Sequence, residues 1–145
     1  MTARKLTDIH YVACASPDYL QRCGAPQRPE DLTVHDCVYW RSLKQLTIWK
    51  FHHGDELIEV PVKGRFRVNS VITEREGALA GLGVALLPPG HVSDDIRSGR
   101  LVPVLQDFPP ATEPISAIWP HTVAVPRKLR VFIDFLAAEI ASARL

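Results

Sequence analysis

The stretch from Arg75 to Pro88, REGALAGLGVALLP, constrains the fold of this chain more than any other. A run of helix formers ends in two glycines, Gly81 and Gly83. An apolar run follows at once and stops at Pro88 and Pro89. Gly81 suits the left-handed backbone that ends a helix. Gly83 has no Cβ, so helix and strand backbones can approach closely there. Val84–Pro88 is apolar on both faces, which predicts a strand covered on both sides. A helix that turns directly into a covered strand points to an α/β fold.

The segment just upstream says where that helix starts. GRFRVN (Gly64–Asn69) alternates polar and apolar residues as a half-buried strand does. Asn69 and Ser70 then offer N-cap oxygens for a helix from about Val71 to Ala80. Val71, Ala78 and Leu82 share one face of it, with Ile72 and Leu79 beside them. The helix begins at a sheet's carboxyl edge, where open α/β sheets bind ligands. Free N–H groups at Asn69–Ile72 would attract a carboxylate or other anion. The stretch therefore builds one wall of a small-molecule cleft.

The rest of the chain reads as short strands alternating with short helices, which predicts a mixed sheet. Asp8–Ala15 is β-favouring. Ser16, Pro17 and Gly24 mark the start and stop of a helix. Pro29 opens another helical turn, and Asp36–Trp40 is a strand. Thr47–Val62 is a hairpin turning at Gly54. Ser93 caps a short helix that Gly99 stops. Leu101–Leu105 is a strand whose Pro103 makes it an edge or a crossover. Ile115–Trp119 is a strand. The last helix runs from Arg127 to about Ser142, with the stripe Leu129, Phe132, Ile133, Leu136, Ile140 as its core face.

At 145 residues with 46% apolar content, the chain makes one domain or two small lobes. Its 17 basic and 16 acidic residues leave a net charge of +1, which argues against the chain binding nucleic acid by itself. Cys14, Cys23 and Cys37 are odd in number and lack CxxC spacing, so neither a disulfide framework nor a zinc site is expected. A reducing compartment suits them. The N-terminus lacks the apolar core of a signal peptide, and no apolar run approaches a membrane span. The expectation is a soluble cytoplasmic protein with no cofactor, no metal and no membrane partner.

HYVACASPDYLQRCGAPQRPEDLTVHDCVYW, RFRVNS, ALAGLGVALLP, GRLVPVL and RKLRVFIDFL together resemble the effector-binding domain of LysR-type transcriptional regulators. The resemblance runs over nearly the whole chain, in the family's order and approximate spacing. It implies a fold similar to type 2 periplasmic binding proteins: two α/β lobes joined by two crossover strands, with an effector between them. Lobe II would span about 16–100, and lobe I would be reduced to about 1–15 and 101–145. The winged helix-turn-helix and the first part of lobe I have no counterpart, so DNA would be bound only through a domain outside this chain. The resemblance implies that Ser16 lies at the first crossover with its hydroxyl toward the ligand. It implies that Asn69, Ser70 and Val71 present side chains and N–H groups to the ligand, and that Gly81 and Gly83 shape the second crossover. The implied partners are a small-molecule effector, a carboxylate by its chemistry, and further copies of the chain in a homodimer or higher oligomer.

Other chemistry-bearing residues read as structural. Cys37 beside His35 and Asp36 is no dyad, because neighbours on a strand point to opposite faces. Cys14 reads as a core strand residue. His52 and His53 adjoin a turn without further metal ligands at useful spacing. Glu74 and Glu76 lie two apart on a helix and are expected to be solvated charges. Arg127, Lys128 and Arg130 are too few for a DNA surface. Trp40, Trp49 and Trp119 are expected in the core first and in a cleft wall second. Two alternatives remain: an extracytoplasmic solute-binding protein of similar fold, and a small α/β enzyme, for which no convergent nucleophile and base is visible.

Overall fold

The computed structural model describes residues 1–40, 46–121 and 125–143. In chain order the elements are β1 (Thr2–Ile9), β2 (Val12–Ala15), α1 (Pro17–Cys23), a 3-10 turn (Pro29–Val34), β3 (Cys37–Trp40), β4 (Thr47–His53), β5 (Glu56–Val62), β6 (Phe66–Val68), α2 (Val71–Leu79), β7 (Val84–Leu87), α3 (Pro89–Arg97), β8 (Val102–Pro103), β9 (Glu113–Trp119) and α4 (Arg127–Ser142). They fall into two compact units, 1–10 with 112–145, and 11–111.

The larger unit is built on a five-stranded sheet of order β6-β3-β7-β2-β8. β3, β6 and β7 run parallel, while β2 is antiparallel to both β7 and β8. The sheet is covered on both faces, and strand alternation sorts the side chains. Ala13, Ala15, Cys37 and Val84 face the β4–β5 hairpin and the 3-10 turn, with Trp49, Phe51, Val60 and Leu32. Cys14, Val38, Ala85 and Leu87 face α2 and α3, with Ala78 and Val92. This double cover is why β7 is apolar throughout. β8 lies at the sheet's edge, where the missing N–H of Pro103 costs no ladder bond.

The smaller unit pairs β1 with β9 antiparallel and packs α4 on β1. Ile133 is buried, with Leu129, Leu136 and Ile140 half-buried on the same helix face, and Arg4 pairs with Asp134.

Several sequence expectations are corrected here. Asp8–Ala15 is not one strand: the chain breaks at His10–Tyr11, and β1 extends back to Thr2 in the smaller unit. The compact larger unit spans 11–111, and β2 and β8 hydrogen-bond within its sheet. α3 starts at Pro89 instead of at a Ser93 cap, since a proline fits the first helical position. Leu82 is 45% exposed because α2 ends at Leu79 and the chain turns at Gly81. Phe132 is 56% exposed, for the buried stripe of α4 runs 129, 133, 136 and leaves 132 at its margin.

Candidate functional site at the sheet's carboxyl edge

The sheet's topology separates the residues expected to share one site. β6, β3 and β7 all end at the same edge, and Asn69, Ser70 and Val71 follow β6 there. β2 runs the other way, so Ser16 at its end lies at the opposite edge, beside the glycines that precede β7. About four strand residues, on the order of 13 Å, separate the two groups.

At the amino edge, Ser16 is buried and its Oγ accepts the Tyr19 N–H at 3.1 Å, which caps α1. A Cβ on Gly81 would lie 3.3 Å from that Oγ and 3.1 Å from Asp18 Oδ2. Gly81 has φ +77, and Arg22 donates to its carbonyl at 2.7 Å. A Cβ on Gly83 would collide with the Asp36 carbonyl. So the close approach at Gly83 is to the chain entering β3, where Val84 N donates to Asp36 O at 3.0 Å. The Tyr19 hydroxyl accepts from Asp36 N at 3.1 Å and meets His35 Nδ1 at 2.8 Å, fastening α1 to the start of β3. These groups are spent on packing.

At the carboxyl edge, Ser70 occupies the N-cap of α2 with extended backbone, φ −143 and ψ 130. Its carbonyl accepts Glu74 N at 2.9 Å, but its hydroxyl makes no capping bond, against the sequence expectation. Asn69 is exposed, and Ser70 and Val71 are half-buried. An α-helix leaves its first N–H groups without backbone partners, and no N-cap side chain takes them here. A helix start whose N-cap side chain makes no capping bond, reinforced by the helix dipole, suits an anion.

Glu74 is the residue that sequence reading misplaced. Expected in solvent, it is 1% exposed, on the inward face of α2 with Gly77 and Ala78. The available signal was helical spacing: 74, 77 and 78 share a face, and Gly77 lies against Phe66 and Val38. Glu76 is solvated as expected and pairs with Arg75 at 2.8 Å. Burial pushes Glu74 up to about 8. Opposing that shift are hydrogen bonds from the Leu86 backbone N–H and the Trp40 indole. Trp40 itself is 47% exposed, a correction to the core placement, and closes β3 at this edge. Trp49 is buried as expected.

Cys14 and Cys37 are buried, and burial is the main cause that pushes each thiol up to about 12, far from a nucleophile's range. Among the described residues no group of His, Cys, Asp or Glu could hold a metal ion, and no helix is long and apolar enough to cross a membrane. Arg127, Lys128 and Arg130 are exposed on α4.

Residues 1–141 match the family model described as LysR substrate binding domain. The chain belongs to that family. The transcriptional regulator CrgA of Neisseria meningitidis is 32% identical over 98% of this chain and 48% of its own length. The transcriptional activator TtdR of Escherichia coli is 34% identical over 94% of this chain and 44% of its own. The full-length structure of the Vibrio cholerae virulence activator AphB superposes with a TM-score of 0.73 at 28% identity, over 96% of this chain and 48% of that one. The chain thus spans about half the length of the curated relatives it matches. The resemblance read from the sequence holds, and with it the α/β fold similar to type 2 periplasmic binding proteins, which LysR regulatory domains share. The named relatives are regulators of transcription rather than enzymes, and neither alternative, a solute-binding protein or an enzyme, finds support.

Proposed function

We propose that this LysR substrate-binding domain senses a small anionic effector, a carboxylate in the first instance, at the carboxyl edge of its larger unit. One observation carries the reading: the start of α2, at the end of a parallel strand, has an N-cap serine whose hydroxyl makes no capping bond. Asn69, Ser70 and Val71 are the contacts. Ser16, spent on capping α1, supports its helix instead of a ligand, and Gly81 and Gly83 shape the chain without touching one. The effector stabilises the arrangement of the domain that binds it better. In a full-length cytoplasmic regulator that shift is reported by DNA-binding domains outside this chain, and paired copies pass it on.

Thermal unfolding of the chain with a panel of small organic acids tests this. A ligand at a hundred times its dissociation constant adds about 2.7 kcal/mol. The expected result is a transition raised by several degrees by one class of acid, and unmoved by that acid after Ser70→Ala with Asn69→Ala. A cooperative transition that no acid moves refutes the reading.

A further inference from the structure

Glu74 lies one turn inside α2, beneath the helix start assigned above to the ligand. Burying a carboxylate is costly unless a cation pairs with it. Among the described residues none does: the neighbouring Arg75 turns to Asp95 and Glu76. The elements packed on α2 bring few other titratable groups to this face. β2 contributes the Cys14 thiol, which Glu74 and Asp95 both push up after burial itself. α3 contributes Asp95, already held by Arg75 and Arg100. β3, β6 and β7 present Val38, Phe66 and Leu87, which do not titrate.

The carboxyl accepts from groups on two strands, β3 and β7. β3 and β7 are in register only at Cys37↔Val84 and Val38↔Ala85. Trp40 and Leu86, the two donors to Glu74, lie past these pairs on their strands. Among the described residues Oε2 has no hydrogen-bond partner. Ionised, the group accepts both N–H bonds but stays desolvated. Protonated, it loses the desolvation cost and accepts them more weakly.

We propose that Glu74 is a proton-linked positioning residue of the carboxyl edge, whose charge state sets how firmly Trp40 and the end of β3 are held against β7 and α2. The role in ligand sensing rests on the function proposed above; the proton linkage does not. At neutral pH the group sits close to its own titration, near 8, so a change of one pH unit alters its charge substantially.

The test is a carbon-detected NMR titration of the glutamate side-chain carboxyls of the whole chain from pH 5 to 10, with Glu74→Gln to assign the resonance. The Trp40 indole N–H is followed in parallel and assigned by its loss in Trp40→Phe. One carboxyl midpoint near 8, missing from the Gln variant, with the Trp40 resonance moving on the same midpoint, is the expected result. A Glu74 midpoint near the ordinary 4.5 overturns the proposal, and so does a Trp40 resonance that passes through the Glu74 midpoint unmoved. Both readings come from the native chain without ligand, so a failure here is distinct from a failure of the acid panel.

Discussion

Glu74 and Asp95 are both 1% exposed, and their surroundings drive them in opposite directions. Arg75 reaches Asp95 with Nε to Oδ2 at 2.6 Å and Nη2 to Oδ1 at 2.8 Å, and Arg100 adds a bond at 2.6 Å. Hydrogen bonds from Arg75 come first among the causes that hold Asp95 below the usual carboxylate range. Its stabilising contribution is therefore present above the unfolded value of 3.8 and lost as pH falls through the lower folded value. Glu74 has the opposite sign. Its folded value of about 8 exceeds the unfolded 4.5, so folding gains from its proton below 4.5 and loses that gain as pH rises through 8. Two outcomes follow. Asp95→Asn lowers unfolding stability by about 2 kcal/mol at pH 7, and the deficit shrinks as pH falls below the unfolded value of 3.8. Glu74→Gln removes a decline in stability between pH 4.5 and about 8 that amounts to a few kcal/mol in the native chain. Urea midpoints across the pH range measure both.

At the scale of elements, α1 and α2 begin alike in sequence and differ in structure. Each follows a strand, and each has a serine at its N-cap. Ser16 caps with its hydroxyl, while Ser70 does not. Ser16→Ala is expected to cost about 1 kcal/mol and to leave any acid-induced rise in melting temperature intact. Ser70→Ala is expected to cost a few tenths of a kcal/mol, with the acid-induced rise reduced. Calorimetry with and without the active acid separates the two. The reverse pattern would place the ligand at the amino edge. Both serines read as caps from composition alone, because capping is a local preference. Which cap stays open is decided by packing against neighbours distant in sequence, as where only a residue without a Cβ at position 81 leaves room beside the Ser16 hydroxyl.

At the scale of the molecule, the two units differ in how much they bury. The larger holds a five-stranded sheet covered on both faces. The smaller has, among its described residues, two strands and one helix, with Val131, Phe132 and Phe135 more than half exposed. The cysteines report on the larger unit. Cys23 is exposed on α1, whereas Cys14 and Cys37 lie on opposite faces of its sheet. One thiol is expected to react with a water-soluble thiol reagent at once, and two only in step with opening of that sheet, which labelling followed by mass spectrometry resolves. Early reaction of Cys14 or Cys37 would mean that the sheet opens without global unfolding.

The elements whose signals are local were legible in the sequence. These include the β4–β5 hairpin turning at Gly54, the entry of α1 at Ser16 and Pro17, the glycine corner before β7, and the family itself, whose spaced motifs survive in order. Position within the carboxyl edge was legible too, because a strand followed by a helix start has only one end at which to place it. The partition of the expected site residues was not. Strand direction is a property of pairing, and only the antiparallel run of β2 against β7 sends Ser16 to the far edge from Asn69. Nor was the burial of Glu74, since a glutamate on a helix is polar in every local measure. The packing of α2 on β3 and β7 turned that carboxyl inward, because Gly77 brings the helix close enough to shut water out.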